Sequence, residues 1–485
     1  MLEPRAYLLV LAFLPFVTAF IIMLISNRLF TTIRGISLLS SFISFFSMSM
    51  LLLSFDNNSQ YFQFLTFICY FDYLGVHYCI ALDGLSLWFV FLTALLTFIS
   101  VFYVSIYTFS SKLFMILLFL IQFFVVQSFL VTDFFMFYVY FEAILIPMFL
   151  LIGIWGSYDR NLHAALLFFL YTLAGSLIML LALQYIQAEI GSTNFYLMYE
   201  RKLPLFSQSI LFIAFFIAFA VKVPMFPIHV WLPEAHGEAP TIGSMILAGI
   251  LLKLGLYGFA RVLIPICSDV LYFFIPIIFL LGLCGVIYTA FATLVQTDIK
   301  RVIAYSSVGH MSLAVLGLFS NTAVGLEGSL FSLISHGFIS PGLFMGVGVI
   351  YDRFGTKLIS YYGNLVTYMP LLTVCMFLLS LGNLAFPGTS AFIGELLIFS
   401  GLFANNFLLF LLSSTSVIFV AFYTFWLFNR IFFGPYNLNI LQYADLNLEE
   451  FLSFIILIIY VVLLGLFPSL ILDTIHLYVI NLLKY

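Results

Sequence analysis

The sequence predicts an all-α polytopic membrane protein of about fourteen transmembrane helices. It also predicts two inverted five-helix repeats, with discontinuous helices 7 and 12. Three observations carry this. Of 485 residues, 64% are hydrophobic and 7% charged, and mean hydropathy is +1.22. That is too little charge to cover a soluble domain of this size. Apolar stretches of the ~20 residues a spanning helix needs recur from end to end. Two of those stretches are broken by proline at corresponding places and carry a titratable residue close by.

Taken in order, the first two spans run near 6–25 and 36–54. Segment 55–82, with Asp56, Asp72 and His77, is too interrupted to span and reads as a surface or interfacial stretch. Spans three to six run near 84–108, 112–131, 133–155 and 162–187. The seventh, 209–229, is broken at Pro224 and Pro227, and a polar connector with His229, Glu234, His236 and Glu238 follows. Spans eight to eleven run near 241–264, 271–294, 302–320 and 327–350. The twelfth, 370–403, is too long for one straight helix and is broken at Pro387-Gly388. The last two lie near 406–430 and 451–471. This gives N-terminal helices in 1–110, a first repeat in 111–265, a second in 266–431, and a final helix in 432–485. Five spans per repeat is an odd number, so the second copy enters from the opposite face, which makes the repeats inverted.

The loop charges orient the chain. One side receives Arg28, Arg34, Lys112, Arg160, Lys300, Arg301, Arg353, Lys357 and Arg430; the other receives Arg5, Arg201, Lys202, Arg261 and Lys484. The positive-inside rule puts the larger set in the cytoplasm or matrix and both chain ends opposite. The N-terminus lacks the Arg- and Ser-rich character of a transit peptide, which suits synthesis in a bacterium or inside an organelle. The five cysteines are scattered and read as buried packing. Trp231 reads as an interface anchor. No Gly-rich phosphate loop, paired-histidine haem spacing or cysteine cluster is present, so nucleotide, haem and iron–sulfur binding have no support, and neither has nucleic-acid binding.

The chemistry concentrates in a few groups at membrane depth. Glu142 lies mid-span in FYVYFEAILIPMF. Lys222, Lys253 and Glu395 complete the charged set, and His310 and His336 add two imidazoles. A lysine at the centre of a membrane helix costs about 2.5–3.5 kcal/mol even on the lenient scale, so such residues face a bundle interior or a water-filled path. Carboxylate, amine and imidazole are the groups that relay protons. Burial disfavours charge and a nearby opposite charge restores it. A Glu142–Lys222 pair would therefore act as a switch, handing a proton toward Lys253. His310 and His336 would continue the path to Glu395. The competing structural readings are ion pairing for the charges, hydrogen bonding across helices for the histidines, and loop roles for His229, His236, Glu234, Glu238, Asp298 and Lys300, the last four with the channel mouth as their alternative.

These stretches resemble a known family. HVWLPEAHGEAPTIGSMILAGILLKLGLYG, TDIKRVIAYSSVGHM and SLISHGFISPGLFMGVGVIYDR resemble the antiporter-like subunits of respiratory NADH dehydrogenase, complex I. The same signature occurs in subunits of multisubunit cation/proton antiporters. The resemblance is nearest to the chain 4, or bacterial subunit M, branch. Glu395 stands in FPGTSAFIGELLIF where other branches typically carry lysine, and DLNLEEF (445–451) is similar to the tail of that branch. The resemblance implies fourteen helices in inverted repeats and a proton relay of Glu142, Lys222, Lys253, His310, His336 and Glu395. It implies a membrane-arm subunit that binds no cofactor, with NADH, FMN, iron–sulfur clusters and ubiquinone held by partner subunits. Chains 2 and 5 are the implied neighbours. The mitochondrial inner membrane is the implied location, with a bacterial plasma membrane as the alternative. Two other functions stay open: a sodium/proton antiporter subunit and a structural scaffold.

Overall fold

The computed structural model describes residues 4–71, 75–104, 112–157, 160–435 and 444–484. Among them, thirteen helices are long and apolar enough to cross a membrane. The twelfth span makes the fourteenth crossing as two shorter helices, Pro370–Asn383 and Ser390–Asn405. Most of the expected spans fall within a few residues of the observed helices; the second starts earlier, at Phe30, the first helix of the seventh stops at Lys222, and the last ends at Leu466. The tail of the third, 105–108, and Asp72 lie outside the described residues.

Two elements differ from expectation. Segment 55–82 holds a two-stranded antiparallel hairpin, β1 (Gln63–Phe71) and β2 (Val76–Leu82). The fold is thus helical with one small sheet. β2 is pinned to the bundle where Tyr78 donates to Gln127 of the fourth span, 3.1 Å away. The second addition is a helix after the last span, Ser469–Leu482, separated from Leu448–Leu466 by Pro468. Trp88 of the third span donates to its Thr474 at 3.0 Å. An even number of crossings brings Pro4 and this last helix to one face, the terminal face, which also carries the hairpin.

The central spans are the most deeply buried. Span eight (Thr241–Ile266) and span eleven (Ala323–Phe354) are enclosed by protein along their apolar windows, whereas the thirteenth (Phe407–Phe432) is the least buried of the spans. Enclosure explains why span eight tolerates Lys253 and two π-helical turns, Leu247–Leu251 and Phe259–Leu263.

Some sequence expectations need correction. Trp231 is buried, and its indole donates to the Val221 carbonyl at 2.9 Å, so it is no interface anchor. His229 and His236 are buried as well, because the connector folds back among the helices. Arg261 and Lys300 are only 3% and 2% exposed and are not loop charges. Arg261 pairs with Asp83 at 2.5 Å. Of the free cysteines, Cys79, Cys267 and Cys375 are buried, and Cys69 and Cys284 are partly exposed.

Candidate functional site

The seventh span ends its first helix, Leu205–Lys222, at Lys222 because Pro224 supplies no backbone N–H to continue it. The helix end leaves carbonyls unpaired. The Trp231 indole takes one of them, at Val221, and so ties the second half (Trp231–Glu238) under the first. Lys222 is thereby held in a last helical turn, where the helix dipole favours a cation. It is 5% exposed, with its ammonium 4.4 Å from the Phe141 ring centroid. Gly255 of span eight lies against it: a Cβ there would sit 2.6 Å from the Val223 side chain and 3.1 Å from the Lys222 Cβ.

Glu142 stands at the end of Phe134–Ala143, just before a break at Ile144. Pro147 explains the break, since it cannot donate to the Ala143 carbonyl. Glu142 interacts electrostatically with Lys222 and lies beside Ser176. The two are neighbours, but they do not form the direct ion pair expected from sequence. One carboxylate oxygen, Oε1, is buried without a hydrogen-bond partner.

Lys253 is fully buried. Its ammonium donates to the Ala248 carbonyl at 2.5 Å, beside the π-helical turn, and to His336 Nδ1 at 2.9 Å. Span eleven can bring His336 this close because the two backbones touch. A Cβ on Gly337 would lie 3.2 Å from the Gly249 carbonyl. When Lys253 carries its proton, His336 Nδ1 is the acceptor and the ring's proton belongs on Nε2. That Nε2 is buried and unpartnered.

His310 of span ten (Ile299–Leu318) comes next. Its ring centroid is 5.8 Å from that of His336, and its Nδ1 is 3.3 Å from Glu395 Oε1. Glu395 sits early in the second half of the broken twelfth span. That half is pressed onto span eleven, where a Cβ on Gly394 would meet the Ser332 Cα at 2.9 Å. His310, His336 and Glu395 line one cavity of about 20 Å³ together with Ser332, Ser335 and Asn383, enough for one water. A second cavity of about 20 Å³ adjoins His310 and Glu395 on their other side, lined by Thr289, Thr293, Tyr305, Ser416 and Tyr423.

Of the six groups singled out from sequence, four thus form a chain: Lys253, His336, His310, Glu395. The histidines come in the order opposite to their numbering. Glu142 and Lys222 form a separate neighbouring couple.

Sequence reasoning missed part of the site. His236 is fully buried and stacked on Phe344 (centroids 4.4 Å apart), and neither ring nitrogen has a partner. It lies within electrostatic reach of Lys253 and Lys300. Lys300 donates to the Ala239 carbonyl at 2.8 Å and lines a larger cavity, about 270 Å³, with Ser157, Thr241, Tyr351 and Asp352. Beside this mouth, Lys357 bonds the Ser157 hydroxyl and, at 2.5 Å, the Gly237 carbonyl. Burial pushes the Lys357 ammonium below the usual lysine range, and Glu238 and Asp298 pull it back. For Lys300 the sequence offered a loop role first and the channel mouth as the alternative, and the cavity lining favours the alternative. Among the described residues, no group of three or more His, Cys, Asp or Glu is placed to hold a metal.

Comparison with known proteins follows the same lines. A family model described as NADH:quinone oxidoreductase/Mrp antiporter, TM, matches residues 131–422. The chain is 44% identical over 479 residues to NADH-ubiquinone oxidoreductase chain 4 of Marchantia polymorpha, covering 98% of this chain and 96% of that one. It is 39% identical over 481 residues to NADH-quinone oxidoreductase subunit M of Rickettsia typhi, covering 97% of each. A chain of respiratory complex I from Thermus thermophilus with bound NADH superposes with a TM-score of 0.90 at 28% identity, covering 99% of both. A chain of the Mrp complex from Dietzia superposes with a TM-score of 0.88 at 17% identity, covering 100% of this chain and 98% of that one, a likeness of fold.

Proposed function

The chain belongs to the NADH:quinone oxidoreductase/Mrp antiporter transmembrane family, in its NADH-ubiquinone oxidoreductase chain 4 (subunit M) branch; from that premise we propose that it moves protons along its buried relay. It is a membrane subunit of NADH:ubiquinone oxidoreductase and assembles with other subunits of that complex. In this reading, redox chemistry at NADH, FMN, iron–sulfur clusters and ubiquinone in partner subunits drives the relay. Chains 2 and 5 are its proposed neighbours. The mitochondrial inner membrane is its proposed location, with the terminal face on the positive, intermembrane-space side.

The observation that carries the reading is the chain of buried groups through spans eight, eleven, ten and twelve, with Lys253–His336 at 2.9 Å and His310–Glu395 at 3.3 Å. A relay needs groups that both give and take a proton within hydrogen-bond reach, directly or through one water. Lys253 gives to His336 Nδ1, and the ring passes a proton from Nε2. A water in the small cavity spans the step to His310, and His310 passes it to Glu395. Glu142 and Lys222 set the charge beside Lys253: while the carboxylate and ammonium face each other, each supports the other's charge, and separation releases the lysine's proton. The charge-lined cavity at Lys300, with His236 beyond it, supports entry from the face opposite the chain ends.

The breaks at 223–230 and 384–389 occupy matching places in spans four to eight and nine to thirteen, which supports the two-repeat division at 111–265 and 266–431. Glu142→Gln and Lys222→Ala test the reading. Each is expected to lower NADH-driven proton uptake into liposomes by about tenfold or more while the complex still assembles. Full pumping in both variants sinks it. Sodium/proton exchange by the chain alone would favour an antiporter instead.

A further inference from the structure

Two cavities meet at one side chain of span thirteen. The first is a shaft of about 40 Å³ lined by Ile299, Val347, Ile350, Leu427, Ile431 and Phe432. Ile299 begins span ten, Ile350 is near the end of span eleven, and Phe432 ends span thirteen. The shaft therefore starts at the face opposite the chain ends. Its deep end is Ser306, Asn383 and Tyr423. The second cavity is the Glu395–His310 chamber, which Ser306 and Tyr423 also line. Tyr423 is only 3% exposed, and its hydroxyl faces Ser306 and Asn383. It stands nine residues before the end of its helix, about 14 Å by helical rise and near half of the ~30 Å core.

We propose that Tyr423 is a gate closing a dry shaft from the opposite face onto the Glu395–His310 chamber. The inference rests on the relay reading and assigns a regulated second point of access to its Glu395 end. An apolar constriction gates by dewetting, and no Asp, Glu, Lys or Arg lines this shaft. The contrast with the inlet at Lys300 is direct. That inlet opens toward the same face, is several times larger, and is lined by Lys300, Asp352 and Ser157. One inlet carries charged side chains and the other carries none. One of the closing partners, Asn383, also sits on a jointed element. Asn383 is the last residue of the first half of span twelve, Glu395 lies in the second half, and Ala385 and Gly388 between them have φ of +56° and +95°. A shift of one half against the other moves Asn383 relative to Tyr423 and opens the floor of the shaft.

Ser416 reports on the chamber, which it lines beside Glu395. In the assembled complex in sealed vesicles, a Ser416→Cys thiol is treated from the opposite face with a charged, membrane-impermeant methanethiosulfonate. The native tyrosine is expected to protect it. Tyr423→Ala is expected to raise the labelling rate about tenfold by removing the apolar barrier, whereas Tyr423→Phe, which keeps the ring, stays protected. Should Tyr423→Ala fail to assemble, Tyr423→Leu carries the same expectation of faster labelling. Equal rates with and without the ring overturn the gate. Proton uptake per NADH oxidised is read on the same vesicles, and a fall with Tyr423→Ala supports gate and relay together. Faster labelling with full pumping keeps the gate and removes Glu395 from the relay.

Discussion

Asp83 and Arg261 are separated by 178 positions yet meet at 2.5 Å, each nearly sealed from water. The guanidinium is caged by Phe62, Phe195, Tyr257 and Tyr478, and its Nε donates to the Tyr257 hydroxyl at 3.2 Å. Breaking such a pair leaves one charge buried and alone, which costs about 3–5 kcal/mol, whereas replacing both partners by apolar residues is close to neutral. Asp83→Asn is therefore expected to lower the thermal stability of the assembled complex clearly, and Asp83→Leu with Arg261→Met to restore most of it. Equal losses in the single and double variants would show that the charges are not coupled. Residue identity was legible here and pairing was not: Arg261 follows an apolar run and reads as a loop charge, because nothing local points to Asp83. The same holds for Lys300 and His236, whose burial is set by the fold of the connector.

At the scale of elements, the two broken spans were legible because proline leaves a physical mark: Pro224, Pro227 and Pro387 each remove a backbone donor. The hairpin and the last short helix were not. The strands sit in a stretch whose polar interruptions read as surface, and Ser469–Leu482 is 14 residues, below spanning length. Contact between elements depends on small residues. Gly394 lets the second half of span twelve touch span eleven backbone to backbone, as at other close helix contacts in membranes. Gly394→Val puts bulk against the Ser332 Cα, which cannot yield as a side chain can. The expected cost is about 1–3 kcal/mol, with His310 and Glu395 moved apart. Melting of the complex and its pumping should both suffer; a variant that matches the native protein in both contradicts this packing argument.

Across the whole molecule, buried titratable groups run from the opposite face toward the Glu395 chamber: Lys300, His236, Lys253, His336, His310, Glu395. The sequence already named four of these six, and they were legible because charge and imidazole stand out in apolar helices. Their order was not legible, since it depends on how spans eight, ten and eleven cross. Nor was the spacing of Glu142 from Lys222, which the Ile144 break and the Phe141 ring set. The central claim is that Lys253 passes protons within this chain of groups. The most direct measurement is NADH-driven proton uptake by liposomes holding the complex with Lys253→Met, a side chain of similar length that neither donates to His336 nor carries a proton. The account predicts an assembled complex whose proton uptake falls about tenfold or more. Uptake at the natural rate and stoichiometry would contradict it.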